Sequence, residues 1–262
     1  MGKSTDSHEV SVLINSCDKY ADVWPVFFAL FWKYWPDCPY QVYLGTNTRT
    51  WSDKRVRIFQ VGPDMNWADT TIKMVEVIPS PYVLWFLEDF LIWEKVDTPT
   101  IESLFAEMKR LDANYLRLRN WPPTFGPVQG HPEIVQISPG APYRCALEIA
   151  FWRREVLLDL LVPGETPWDM EKKGSLRSNK WPGFYSTRSN LFKRSNGLER
   201  GKWIKDNLPG LKREKICIPP GHAIMSPREH LFYFLRSRIY SFLISRKRLV
   251  LALKKRMRTV VM

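Results

Sequence analysis

Six apolar residues in a row, Tyr82–Leu87 (YVLWFL), run straight into two carboxylates, Glu88 and Asp89. An uninterrupted apolar run of this length suits a strand covered on both faces, and strands of that kind belong to parallel sheets flanked by helices. In such sheets ligands gather beyond the carboxyl ends of the strands. The acidic pair therefore falls where this kind of fold carries its chemistry.

The preceding segments have the matching order. Residues 10–15 (VSVLIN) read as a buried strand ending in Ser16, Cys17 and Asp18, and residues 21–35 as an amphipathic helix stopped by Pro36. Residues 40–44 read as a strand closed by Gly45, Thr46 and Asn47. Residues 56–61 form a third strand, and 67–78 a helix halted by Pro79 and Pro81. This β-α-β-β-α-β order predicts an α/β fold with a mostly parallel sheet, placing Asp18, Asn47, Glu88 and Asp89 at strand ends. Further on, 98–111 reads as a helix, 115–118 as a strand, 144–152 as a strand and 153–161 as a helix. Between them, 120–142 holds six prolines and three glycines and reads as a long surface loop. Residues 165–171 (ETPWDME) read as a carboxylate-rich turn, and 184–186 as a short strand.

Composition narrows the setting. At 262 residues with 45% hydrophobic and 14% aromatic content, the chain can bury a sizeable core and is not disordered. Its first ten residues lack a basic-then-apolar signal pattern, and no run approaches the roughly 20 apolar residues that cross a bilayer, so the cell interior is expected. The four cysteines are scattered without a C-x-x-C pair, which fits neither a zinc site nor a disulfide framework. The net charge of +12 is concentrated at one end: residues 226–262 carry ten basic side chains against Glu229 alone. The expected division is a catalytic domain over 1–225 and a basic helical tail over 226–262. Ser226, Pro227 and Glu229 match a helix-capping box at the tail's start, and Leu, Phe and Ile interleave with Arg and Lys beyond it. A helix of that composition suits the surface of an anionic membrane, and no nucleic-acid partner is expected.

Several groups have the chemistry to handle a diphosphate and a sugar. Glu88 and Asp89 suit a hard cation that bridges diphosphate oxygens. Arg177, Arg200 and Lys202 lie in turn-like segments where cations can neutralise phosphate, and Lys73 sits on the helix before the acidic strand. Glu165, Asp169 and Glu171 surround Trp168, an aromatic shelf beside carboxylates of the type that packs on sugars. Glu171, then Asp169, are the expected general bases.

From Tyr82 through Phe90 (YVLWFLEDF) the chain resembles GT-A glycosyltransferases, in which an apolar strand ends in an acidic motif holding a metal-bound nucleotide sugar. The opening strand with Asn15, Ser16, Cys17 and Asp18 looks like that family's nucleotide-contacting first loop. The 165–178 segment is similar to the acceptor and base region of bacterial surface-polysaccharide transferases of the lipopolysaccharide, capsule and O-antigen type. The resemblance spans roughly residues 8–205 and implies a GT-A-like (Rossmann-like) fold. It also implies a nucleotide-diphosphate-sugar donor and sugar transfer. Taken with the basic tail, the expected reaction is transfer, inverting with retention left open, to a glycan or lipid-linked acceptor in surface polysaccharide synthesis at the inner face of the cytoplasmic membrane. Residue chemistry and the resemblance together assign Asn15, Ser16, Asp18, Asn47, Lys73, Glu88, Asp89, Arg177 and Lys202 to the donor, Glu165 and Trp168 to the acceptor, and Glu171 and Asp169 to catalysis. The family pattern usually has acids two apart, whereas Phe90 stands two after Glu88. The leaving group is thus served either by Mg²⁺ or Mn²⁺ on Glu88 and Asp89, or by Arg177, Arg200 or Lys202. Two other readings are a nucleic-acid-binding protein using the tail and a sugar nucleotidyltransferase. The latter ordinarily wants a glycine-rich, basic loop after the first strand, and residues 16–22 contain neither glycine nor arginine.

Overall fold

The computed structural model of the chain describes residues 9–124 and 126–260. Among them nine strands form one sheet in the order β3-β2-β1-β4-β9-β6-β10-β8-β7. The strands are β1 (Val10–Asn15), β2 (Gln41–Thr46), β3 (Val56–Gln60), β4 (Tyr82–Leu87), β6 (Tyr115–Arg117), β7 (Gly126–Val128), β8 (His131–Gln136), β9 (Ala150–Arg153) and β10 (Phe184–Thr187). Seven run one way; β9 and β8 run against them. The fold is α/β with a large, mostly parallel sheet flanked by helices.

Alternation along the buried strands divides the core. Val10, Val12 and Ile14 of β1 and Leu84 and Phe86 of β4 face α1 (Trp24–Tyr34) and α3 (Thr98–Arg110). Leu13, Val83 and Trp85 point the other way, toward α2 (Trp67–Glu76) and α4 (Arg154–Leu160). A strand clothed on both sides has no reason to alternate apolar with polar residues, hence the unbroken run at 82–87. The first cluster is dense in rings: Phe86 meets Phe27, Phe31 and Phe192 edge-on at 5.4–6.4 Å between centroids.

Most element limits match the sequence reading within a few residues. Residues 165–171, read as a turn, lead at Pro167 into a run of short helical turns that continues to Lys180, and two further regions differ. The 120–142 stretch is not wholly loop: β7 and β8 form a hairpin at the sheet's far edge, with Ile134 and Val135 buried. Its prolines are tolerated because Pro127 sits on the outermost strand and Pro132 near the start of the next. In 144–152 only the last three residues are strand. Arg144 is instead buried and donates to the carbonyls of Ile137, Ser178 and Trp181 while its guanidinium lies 3.9 Å from the Phe184 ring centroid.

The remaining elements cover one end of α1. After Glu88 and Asp89 the chain turns into β5 (Phe90–Ile92), which pairs with β11 (Arg194–Asn196). The hairpin β12 (Leu198–Glu199) and β13 (Lys202–Trp203) and helix α5 (Leu208–Arg213) follow. Leu91, Leu198, Trp203 and Leu211 pack on Val23, Val26 and Leu30. The last helix, α6 (Pro227–Val260), opens with Ser226 and Glu229 bonding each other's backbone N–H.

Removing one core ring should be felt globally. Phe86→Ala is expected to lower unfolding free energy by about 3–5 kcal/mol in urea denaturation.

Candidate active site

β1, β2 and β4 run parallel, so residues 16–18, 47 and 88–89 meet at one sheet edge. β9 runs against β4 and pairs Ala150 with Trp85, so the residues just before β9, Leu147 and Glu148, enter at that same edge. Glu171 sits in a π-helical turn, Met170–Gly174, and accepts a hydrogen bond from the Leu147 backbone N–H at 3.0 Å. The structure thus brings the 165–171 segment to the edge where the acidic strand ends.

A buried chain of charges joins the two sides. Pairing of β11 with β5 holds Arg194 beside Asp89, over the Phe90 ring at 3.6 Å. Arg194 forms an ion pair with Glu148, whose other oxygen lies 3.6 Å from Arg119. Glu148 in turn acts on Glu171, as does fully buried Arg117. Arg117 Nη1 has no hydrogen-bond partner among the described residues.

The electrostatics separate the acids. Burial pushes the Glu88 carboxyl well above the usual range, and the adjacent Asp89 pushes it further; no basic side chain opposes this. Asp89 is raised by burial too, against the Leu198 N–H at 3.2 Å and Arg194. Glu171 is raised to about 7, chiefly by burial, with Leu147 N–H and Arg117 opposing and Glu148 adding. A carboxyl poised there is matched to accept a proton near neutrality. Asp169 is the opposite case. It completes a capping box with Thr166 and pairs with Lys173 at 3.0 Å, and these bonds hold it down at about 2. Its oxygens serve the helix start, which makes it a poor base.

The other expected residues have varied placements. Asp18 accepts from the N–H groups of Asn47, Thr48 and Arg49 and from the Thr48 hydroxyl, so it ties the loop after β1 to the loop after β2. Asn47 Oδ1 accepts in turn from the Asp18 backbone N–H, while its buried Nδ2 has no partner among the described residues. Asn15 donates to Thr71 at 2.8 Å, and Ser16 Oγ accepts from Trp24 Nε1 at 2.8 Å. Arg177 does not point at the acids: it is bidentate to Glu165 and caps the Leu160 carbonyl, so this pair braces its own segment. Trp168 stands exposed beside it. Lys202 is paired with Glu229 and Arg200 lies beside Glu199. Lys73 faces a separate shallow cavity of about 560 Å³ between β3 and α2.

Sequence reasoning missed the cover over the β1 end. Tyr20 is raised by burial, Glu88, Cys17 and Asp89, so its phenol keeps its proton beside the acids. Its ring stacks on His222 at 5.1 Å, and His222 Nδ1 lies 2.8 Å from Asp22 Oδ2. Gly221 (φ +149°) makes this approach feasible, since a Cβ there would lie 2.2 Å from Asp22 Oδ2. These partners are 200 residues apart, and no local pattern announces them. Arg194 and Glu148 were missed for the same reason.

Glu88 and Asp89 fit a divalent cation, because Glu88 is a buried acid with no basic side chain opposing its shift. No group of three His, Cys, Asp or Glu that could hold a metal occurs among the described residues, so the other ligands would be diphosphate oxygens and water.

Both acids bind protons more tightly folded than unfolded. Their contribution to stability is therefore complete below the ordinary carboxylate range and is lost as pH rises through the raised values. Melting temperature is expected to fall between about pH 5 and pH 8, with Glu88→Gln flattening the fall. Millimolar Mn²⁺ is expected to restore the wild type at the upper pH far more than the variant. Parallel melting profiles for the two proteins would mean that Glu88 is solvated and ionised throughout.

No protein-family model matches the chain, and no curated protein matches it. Among solved structures it is similar to TarS residues 1–349 from S. aureus at 11% identity and a TM-score of 0.41, covering 68% of this chain and 60% of that one. The same TarS fragment in complex with UDP-GlcNAc gives 11% and 0.40, over 68% and 58%. The 2-C-methyl-D-erythritol 4-phosphate cytidylyltransferase from Thermus thermophilus gives 12% and 0.47, over 79% and 100%. The chain thus spans less than two thirds of the TarS fragment's length. Likenesses this distant say nothing about the site, and the fold stands on its own strand order and pairing.

Proposed function

We propose that the chain is a nucleotide-sugar-dependent glycosyltransferase acting by inverting displacement on a glycan or lipid-linked acceptor in surface polysaccharide synthesis. The observation that carries this is the meeting of the buried acids Glu88 and Asp89 with Glu171 at one sheet edge, joined through Arg194 and Glu148.

The nucleotide lies against the loops that Asp18 ties together, where Asn47 Nδ2 lacks a partner among the described residues. Glu88 and Asp89 would hold Mg²⁺ or Mn²⁺, which would supply positive charge to offset that of the departing diphosphate. Glu171 takes the proton of the acceptor hydroxyl. That oxygen bonds to the anomeric carbon while the bond from that carbon to the diphosphate oxygen breaks, and the nucleoside diphosphate leaves with the electron pair. Trp168 offers an apolar face to the acceptor sugar. The basic tail keeps the protein at the anionic inner face of the cytoplasmic membrane, beside its acceptor.

The test is a panel of UDP-, GDP- and dTDP-sugars titrated into the full chain with and without Mn²⁺, followed by donor hydrolysis. One nucleotide class is expected to bind. Glu171→Gln is expected to keep that binding while turnover falls about 10²–10⁴-fold. Absence of binding and hydrolysis across the panel would remove the reading. Pyrophosphate release from a nucleoside triphosphate and a sugar phosphate would replace it with a nucleotidyltransferase.

A further inference from the structure

Helix α6 has two opposed faces, and one of them carries the contacts with the body. At about 100° per residue, His230, Tyr233, Tyr240 and Ile244 fall on a common side. There His230 reaches Asp206 at 3.1 Å, Tyr240 meets Tyr143 edge-on at 5.9 Å, and Ile244 is buried. On the opposite side, Leu231, Phe232, Leu235, Ile239, Phe242 and Leu243 fall within an arc of about 120°. These six are 48–73% exposed. A row of large apolar side chains on the outer face of a docked helix is not part of the core, and single-residue scatter does not produce it.

The charges around that row narrow what can cover it. Arg228 and Arg246 project along the middle of the arc at its two ends, and Arg238 lies just beyond one rim. Arg236, at the other rim, is turned to Glu199. From residue 230 onward the sequence holds nine basic side chains and no acid. A second copy of the helix would set Arg228 and Arg246 against their own kind in an apolar seam. A nucleic acid would satisfy the arginines and leave Phe232, Ile239 and Phe242 bare. Spanning is also unsupported, since among the described residues no helix is long and apolar enough to cross a membrane.

We propose that α6 lies flat in the headgroup region of an anionic bilayer. Leu231, Phe232, Leu235, Ile239 and Phe242 enter the acyl boundary, and the flanking arginines snorkel to lipid phosphates. The opposite face keeps its contacts with the catalytic body, so the helix is a layer between protein and lipid. This deepens the membrane part of the function proposed above and rests on it.

The test uses the full chain in co-sedimentation with vesicles of phosphatidylcholine alone or mixed with phosphatidylglycerol. The wild type is expected to pellet with the mixed vesicles, to stay largely in solution with the neutral ones, and to keep measurable binding at high salt. The triple variant F232S/I239S/F242S changes exposed positions, so it is expected to fold. Its affinity for mixed vesicles is expected to drop roughly tenfold or more. Wild type that ignores anionic vesicles, or a variant that binds as well as wild type, overturns the proposal. So does a dimer that the variant dissolves, which would name a second copy as the occupant. Donor hydrolysis by the wild type without vesicles is measured in parallel: wild type that hydrolyses donor but binds no vesicles sinks the helix assignment alone, and wild type that binds vesicles but hydrolyses no donor sinks the catalytic one alone.

Discussion

Six consecutive rungs join β1 to β4 in parallel, from Val10 opposite Tyr82 to Asn15 opposite Leu87, and the site follows from that register. Both strands are covered on both faces, so neither can slide without cost. A slip of two residues in one direction would draw Glu88 in among Leu84 and Phe86; in the other it would pull core side chains into water. A one-residue slip would exchange the faces that α1 and α2 pack on. The aromatic packing around Phe27, Phe31 and Phe86 therefore does more than stabilise. It sets how far the strand extends and so where its acids stop.

That placement has an electrostatic consequence. Glu88 is held out of water with Asp89 as its neighbour, while Asp89 shares the field of Arg194. Arg194 is also claimed by Glu148, which raises Glu171 in turn. One guanidinium thus stands between two acidic centres, and the charge of one side bears on the proton affinity of the other. Asp169, two residues from Glu171, shows how local this is. Its hydroxyl and lysine partners keep it ionised, and the same chemical group two positions on stays ready for a proton.

Much of the fold was legible in the sequence because its strands are short, apolar and punctuated. The 82–87 run, the strand at 10–15 and the helices at 67–78 and 98–111 carry their signals locally. The β7–β8 hairpin was not legible, because prolines that read as breakers are compatible with an edge. At the site, the acids after β4 and Glu171 could be read from residue type and position. The bracing of Arg177 by Glu165 could not, since a cation in a Gly/Ser segment looks the same whether it faces a ligand or a neighbour. Contacts such as Tyr20 with His222 and Arg194 with Glu148 depend on the completed topology.

At the far edge of the sheet, β7 is the outermost strand and carries Pro127 at its centre, opposite Val135. Proline has no amide hydrogen to offer, so a foreign strand arriving there finds its ladder broken at the middle rung. The residues that hid this hairpin from sequence reading also close the sheet against growth. A large, apolar sheet is thereby given an end that does not propagate.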